Sequence, residues 1–373
     1  MAERVPPGTV VAGLPLLRRI VLAGARAGFA DIRVHKALAG AEDLIVGTRA
    51  ATLTPDEPDT PRGSRRIVIV PANLVPQPRW LRSLLDAELS PEAIYVDPAL
   101  TAVIVTADPA RVLAGAARCR SAGELLGELR GASVELPGAF ELAGRFVLTA
   151  RGDVRRAEAW LLRGLIKQRE GFMSRHVERR ISLALTRRLV ATRVTPDAMT
   201  LVSVAVGLVG ATFFLSVSPG YQLVGALLFL AHSILDGCDG ELARLKLIES
   251  RRGAILDFWG DNLVHAAVFG CIAAGCSLAT GAAWPLALGA VTIASGLGSA
   301  ACVFRRTLLD VVSGAGASMT DRLTEAFAHR DFIYLVVVLS AFGRADVFLV
   351  LASVGTPIFL LLLLWVGAAR RRA

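Results

Sequence analysis

Four aspartates in this chain have the spacing of a metal site: Asp236 and Asp239, then Asp257 and Asp261. Spacings of three and four put each pair on one face of a helix. The residues around them are largely apolar, and an acid inside a bilayer costs roughly 2.5–3.5 kcal/mol on insertion scales. Four such acids ask for a compensating partner. Carboxylate oxygens suit hard divalent cations, and Mg2+ is the usual choice where phosphates also bind. Two ions between the pairs would hold a pyrophosphate and stabilise an in-line displacement. Gly237, inside the first pair, and Gly240 and Ala243, just after it, permit close approach. Arg244 follows and is suited to pair with phosphate oxygens.

The elements that carry these acids are read from hydropathy. The chain has 373 residues, 54% of them hydrophobic, and a mean hydropathy of +0.54. From Met1 to about Thr195 the sequence is mixed and charged, whereas Thr200 to Gly367 is mostly long uncharged stretches. Thr195-Pro196-Asp197 predicts a helix start, with an N-cap, Pro at the first position and an acid in the first turn. Breaks at Ser218-Pro219-Gly220, at Gly281 to Pro285 and at Gly343-Arg344-Ala345-Asp346 divide the apolar runs into six helices. Each needs roughly 20 residues to cross a bilayer. The first acid pair then closes the second span and the second pair opens the third.

Lys and Arg bias sets the orientation. The three candidate outer turns hold one basic residue, Arg344, so both termini and the acids are expected on the cytoplasmic side of the inner membrane. The first thirty residues have no clear signal-peptide core, which agrees. Ser174 to Arg193 alternates Arg with apolar residues at near-helical spacing and predicts an amphipathic helix on the membrane surface. Ahead of it, Leu16 to Gly28 is helix-like, while Arg66 to Val70 and Ala102 to Thr106 look like buried strands. Asp56 to Ser64 looks like a loop. This alternation predicts an α/β domain. The boundaries expected are 1–170 for that domain, 171–195 for the amphipathic helix and 196–373 for the membrane domain. The net charge of +9 sits beside apolar segments, and no nucleic-acid motif is present. Five cysteines without a metal-type pair predict free thiols.

The segment Asp236-Gly-Cys-Asp239-Gly240-Glu-Leu-Ala243-Arg244, then Gly253, Asp257 and Asp261, resembles the signature of the CDP-alcohol phosphotransferases at every specified position. The resemblance implies six membrane helices, a homodimer and two metal ions, Mg2+ or alternatively Mn2+, in membrane lipid. It implies that Asp236, Asp239 and Asp257 bind metal and that Asp261, close to the metals, is the general base. Gly240, Ala243, Arg244 and Gly253 would lie around the CDP group. The implied reaction has an acceptor hydroxyl attack the phosphorus nearer the alcohol, with CMP leaving. In that family Asp197 usually has Asn in its place, within Thr195-Pro196-Asp197-x-x-Thr200, where a nucleotide contact competes with the simple cap.

The N-terminal part resembles sugar-nucleotide transferases through Val11-Ala-Gly-Leu-Pro-Leu-Leu-Arg18-Arg19, Ala27-Gly28-Phe29 and Asp153-Val-Arg-Arg-Ala-Glu158. The domain order is similar to that of bifunctional inositol-phosphate cytidylyltransferase/di-myo-inositol-phosphate-phosphate synthases, as are Arg163 to Lys167 and Arg330-Asp331-Phe332. The departures are specific. The chain begins too late to hold the Gly-rich triphosphate loop, and Asn73 and Thr149 stand where that family has metal-binding Asp. The expectation is therefore a nucleotidyltransferase-like domain without that chemistry.

Two substrate versions stay open: a soluble donor such as CDP-inositol with a polyol-phosphate acceptor, or CDP-diacylglycerol with a phospholipid product. A non-enzymatic scaffold or transporter is the reading of another class. A transporter's acids belong near the midplane, usually with repeat symmetry. Arg305, Arg306, Arg322 and Arg330 serve either as an acceptor-phosphate site or as membrane anchors. His232 and His265 lie one turn from the acids, where a packed, hydrogen-bonded role is the simpler one.

Overall fold

The computed structural model describes residues 5–36, 38, 40–53, 66–90, 93–96, 103–105, 109–119, 124, 133–135, 144–166, 177–313 and 332–370. Two compact units are present. One is Met1–Gly164 with Leu245–Leu247, and the other is Leu165–Arg244 with Ile248–Ala373.

The first unit mixes helices and short strands. Two strands, β1 (Val10–Val11) and β2 (Leu14–Pro15), form a hairpin through Ala12 and Gly13, both at positive φ. Helix α1 (Leu16–Ala27) follows and ends on Gly28 at φ 98, a left-handed cap that glycine adopts without strain. Next come β3 (Arg33–His35), α2 (Ala41–Ile45) and β4 (Ala51–Leu53), with β3 and β4 paired in parallel. Strand β5 (Ile67–Ile69) precedes β6 (Leu74–Pro76), α3 (Pro78–Asp86), β7 (Ile94–Val96), β8 (Val103–Val105), α4 (Pro109–Arg118) and β9 (Ser133–Glu135). The mixed sheet they build has the order β5-β8-β7-β9. Strand β10 (Arg145–Val147) pairs with β6 instead, and a 3-10 turn leads into α5 (Val154–Arg163). The expected helix at 16–28 and strands at 66–70 and 102–106 are thus α1, β5 and β8, and the two strands pair with each other. The predicted loop at 56–64 lies outside the described residues.

The core of this unit is closed by Ala23, Leu74, Trp80, Leu81, Leu84 and Ile104. Arg19 is 2% exposed and donates to the carbonyls of Val11 and Ala12. Burial lowers its pKa to about 10, so the guanidinium stays charged at neutral pH. It holds the hairpin against α1, and Glu158 Oε1 accepts from Ala12 N at 3.0 Å. Arg19→Met removes these buried charged hydrogen bonds. Thermal unfolding of the full chain is expected to show a loss of about 1.5–3 kcal/mol, the scale for hydrogen bonds to a charged group.

The second unit is helical. Amphipathic α6 (Arg179–Leu189) precedes α7 (Pro196–Phe213), α8 (Pro219–Lys246), α9 (Arg251–Thr280), α10 (Trp284–Ser313), α11 (Phe332–Ala341) and α12 (Ala345–Arg370). The sequence signals account for the boundaries. Thr195 Oγ1 accepts from Ala198 N, with Pro196 at the first position of α7. Gly281 and Gly343 take positive φ at the ends of α9 and α11. Helix α9 packs against α7 and α10, and α10 against α12.

Five of these helices are long and apolar enough to cross a membrane, so the chain is a multi-pass membrane protein. Six were expected, and five are found among the described residues. Among the described residues the intended fifth span is Phe332–Ala341, ten residues. At 1.5 Å per residue it reaches about 15 Å, half of a hydrocarbon core.

Candidate metal and phosphate site

The acids stand on two consecutive helices joined by a short turn. Helix α8 ends where Leu247 adopts φ 53, and Ile248 N returns to the carbonyl of Ala243 at 3.0 Å. This is the 6→1 bond of a helix C-terminal motif, made with leucine where glycine is usual. Helix α9 starts three residues later, its first turn capped by Ser250 Oγ, which accepts from Gly253 N at 3.0 Å. The reversal brings the C-terminal turns of α8 beside the N-terminal turns of α9.

One carboxylate oxygen from each of Asp236, Asp239 and Asp257 lies within 4.8 Å of the others. Asp236 and Asp239 are buried, and the Oδ1 of Asp257 is buried without a hydrogen-bond partner. Three converging carboxylates repel one another unless a cation sits between them. A buried oxygen without a partner on one of the three acids is what a divalent ion would satisfy. The donor set is all oxygen, which fits Mg2+ or Mn2+.

Asp261 stands apart from that triad. Its Oδ1 is 3.2 Å from His232 Nε2, and His232 Nδ1 is 2.9 Å from the carbonyl of Ser203. A carbonyl only accepts, so Nδ1 carries the proton and Nε2 faces the carboxylate. His232 is thus packed and hydrogen-bonded, and it also touches Asp261, which spacing in the sequence did not reveal. His265 instead meets the edge of Phe229, with ring centroids 5.4 Å apart.

Asp239 has a partner as well. Thr200 Oγ1 on α7 donates to its Oδ2, so Thr200 orients a carboxylate of the cluster. Asp197, one turn earlier, lies beside α9: a Cβ added to Gly253 would be 3.1 Å from its Oδ1. Gly253 is therefore small where the start of α7 comes close. Along α8, Asp236, Asp239, Gly240, Ala243 and Arg244 form one stripe, spaced by threes and fours. Arg244 folds back along it, with Nη1 3.1 Å from where a Cβ on Gly240 would stand. Arg305 is exposed on α10. The side chain of Arg306, and Arg322 and Arg330 altogether, lie outside the described residues.

In the first unit, the two positions that departed from the transferase pattern are neighbours. Asn73 Nδ2 donates to the carbonyl of Leu148 at 2.9 Å, and Leu148 N donates to the carbonyl of Asn73. Thr149 donates through N and Oγ1 to Asp153 Oδ2. These bonds, the hydroxyl first, hold the Asp153 carboxyl below its usual range.

Comparison with known proteins agrees with this geometry. Residues 193–369 match the model of the CDP-alcohol phosphatidyltransferases. A bifunctional IPC transferase and DIPP synthase from Rubrobacter xylanophilus is 37% identical over 145 residues, 38% of this chain and 32% of that protein. The protein of the same description from Archaeoglobus fulgidus is 41% identical over 115 residues, 30% of this chain and 22% of that one. The chain thus spans about a third or less of the length of these curated relatives. A crystal structure of a Mycobacterium tuberculosis phosphatidylinositol phosphate synthase with CDP-DAG bound covers 50% of this chain and 94% of its own, at 22% identity and a TM-score of 0.36. The residues that match the CDP-alcohol phosphatidyltransferase family, 193–369, are the part of the chain that carries the aspartate cluster.

Proposed function

We propose that the protein transfers a phospho-alcohol group from a CDP-alcohol to an acceptor hydroxyl, with release of CMP. The observation that carries this reading is the convergence of Asp236, Asp239 and Asp257 from two helices beside the Gly240–Arg244 stripe. Asp236, Asp239 and Asp257 would hold one or two divalent ions, with Asp261 close by. Such ions supply neutralisation of the pyrophosphate charge. Gly240 and Gly253 leave room for the nucleotide, and Arg244 pairs with its phosphate oxygens. Asp261 accepts the proton of the acceptor hydroxyl. The acceptor oxygen bonds to the phosphorus nearer the alcohol, the bridging P–O bond breaks, and its electron pair leaves with CMP.

The donor favoured is a soluble CDP-alcohol such as CDP-inositol, with a polyol phosphate as acceptor. The similarity to bifunctional IPC transferase and DIPP synthases supports it. In this reading a sixth segment completes the membrane domain, both termini and the site face the cytoplasm, and the protein works as a homodimer. The N-terminal unit serves folding or assembly without nucleotidyl transfer, because Asn73 and Thr149 offer no carboxylate and are engaged with Leu148 and Asp153.

The test is a donor screen on the full chain in detergent, with the label in the alcohol part of the donor. CMP release is expected to need a divalent ion and to stop on chelation, with the label in a water-soluble product. Label in the lipid extract would select CDP-diacylglycerol chemistry instead. CMP release unchanged by chelation would sink the metal assignment.

A further inference from the structure

Besides the four aspartates, a carboxylate lies within the signature at a position the signature leaves open. Glu241 follows Gly240 on α8 and is 0% exposed. Its oxygens are satisfied by one other helix. Oε1 accepts from Arg179 Nη1 at 2.8 Å and from Ser182 Oγ at 2.7 Å, while Oε2 accepts from Thr186 Oγ1 at 2.6 Å. The three donors occur at i, i+3 and i+7 of α6, a single face. Ser182 and Thr186 are themselves buried. Gly237, one turn before Glu241, lies where α6 comes near: a Cβ there would be 3.4 Å from Arg179 Nη1 and 3.7 Å from Ser182 Cβ. Helix α6 therefore meets α8 along the turn that also presents Asp236, Asp239 and Gly240 on an adjacent face.

We propose that Glu241 is a positioning residue, whose buried bonds to Arg179, Ser182 and Thr186 lock α6 onto α8 and fix the rotation at which α8 presents its aspartates and Arg244. A buried carboxylate that loses its donors must find new ones or turn toward water. The adjacent acids lie on the same helical turns, so a rotation of Glu241 moves them as well. The inference rests on the reading of Asp236, Asp239 and Asp257 as a metal site.

The experiment uses the full chain in detergent and titrates Mn2+ by electron paramagnetic resonance, beside thermal unfolding. Glu241→Ala is expected to raise the Mn2+ dissociation constant about 10-fold, the low end for groups that orient metal ligands. Glu241→Gln keeps an acceptor for Arg179 and Ser182 and should recover most of that loss. If Glu241→Ala fails to fold, the pair Ser182→Ala and Thr186→Ala, which keeps Arg179 on Glu241, carries the test with a smaller shift in the same direction. A variant that melts earlier but binds Mn2+ within two-fold of the natural protein overturns the proposal and makes Glu241 a fold anchor only. A natural protein that binds Mn2+ no better than Asp239→Asn fails at the metal site itself, and the proposal falls with it.

Discussion

Replacing Asp261 by Asn lowers the rate of CMP release about 10²–10⁴-fold, the range for losing a positioned general base. The substitution is isosteric, so packing is retained. It also suits the neighbour. His232 donates from Nδ1 to the carbonyl of Ser203, and its Nε2 lies 3.2 Å from residue 261. An Asn side chain can accept from that nitrogen or donate to it, whereas it cannot take a proton from an acceptor hydroxyl. The variant is therefore expected to fold, to melt near the natural protein and to bind donor, yet to turn over slowly. Measured as kcat and KM for donor, the loss belongs to kcat. An undiminished kcat would remove Asp261 from the chemistry. Asp257→Asn should differ in kind. It removes a member of the three-carboxylate cluster and is expected to show first as weaker binding of the activating ion.

Gly275→Ala is expected to be the most damaging single-methyl change in the membrane part. A Cβ at Gly275 would stand 2.3 Å from the carbonyl oxygen of Phe214 and 2.9 Å from the carbonyl of Leu215. Both are backbone atoms at the end of α7, and no rotamer change moves them aside. Phe214 is 1% exposed and packs with Ile272 and Cys276 in the same apolar cluster, so the end of α7 has little room to yield. Overpacking costs about 1–3 kcal/mol in ordinary cores and more where backbone must shift. Small residues at helix crossings are what let membrane helices approach this closely. Gly296→Ala on α10 is the control, because nothing lies within 4 Å of the added carbon. It should be neutral or stabilising by up to about 1 kcal/mol through helix propensity. Thermal unfolding of both variants in one detergent checks the contrast. Equal midpoints would show that the crossing is looser than described.

Much of the fold and the core of the site is written locally in the sequence. Thr195-Pro196, Gly281 and Gly343 act through their own backbone geometry, so the helix ends they mark need no knowledge of partners. The aspartates are legible for a similar reason: spacings of three and four fix a shared face before anything packs on it. What stayed hidden depends on which helix lies alongside. Thr200 reads as part of a helix start, yet its hydroxyl serves Asp239 across 39 residues of chain. Glu241 reads as one more acid of the signature, yet its donors lie more than 50 residues upstream. His232 gives no hint of Asp261 until α8 and α9 are folded together. Among the described residues, the expected span that stays incomplete is one that hydropathy alone carried. Phe332 to Ala341 is as apolar as its neighbours, but only ten residues of it are described as helix.

The tight turn between α8 and α9 has a consequence for the order in which the protein is made. Asp236 and Asp261 belong to one helical hairpin, closed by the four residues between Lys246 and Arg251. Contacts this close in sequence carry little loop-closure entropy and form early. The hairpin can enter the bilayer as one piece and bring the triad together during synthesis, before the last helices leave the ribosome. Truncation after α9 should therefore still yield an assembled carboxylate nest, while truncation within the turn should not.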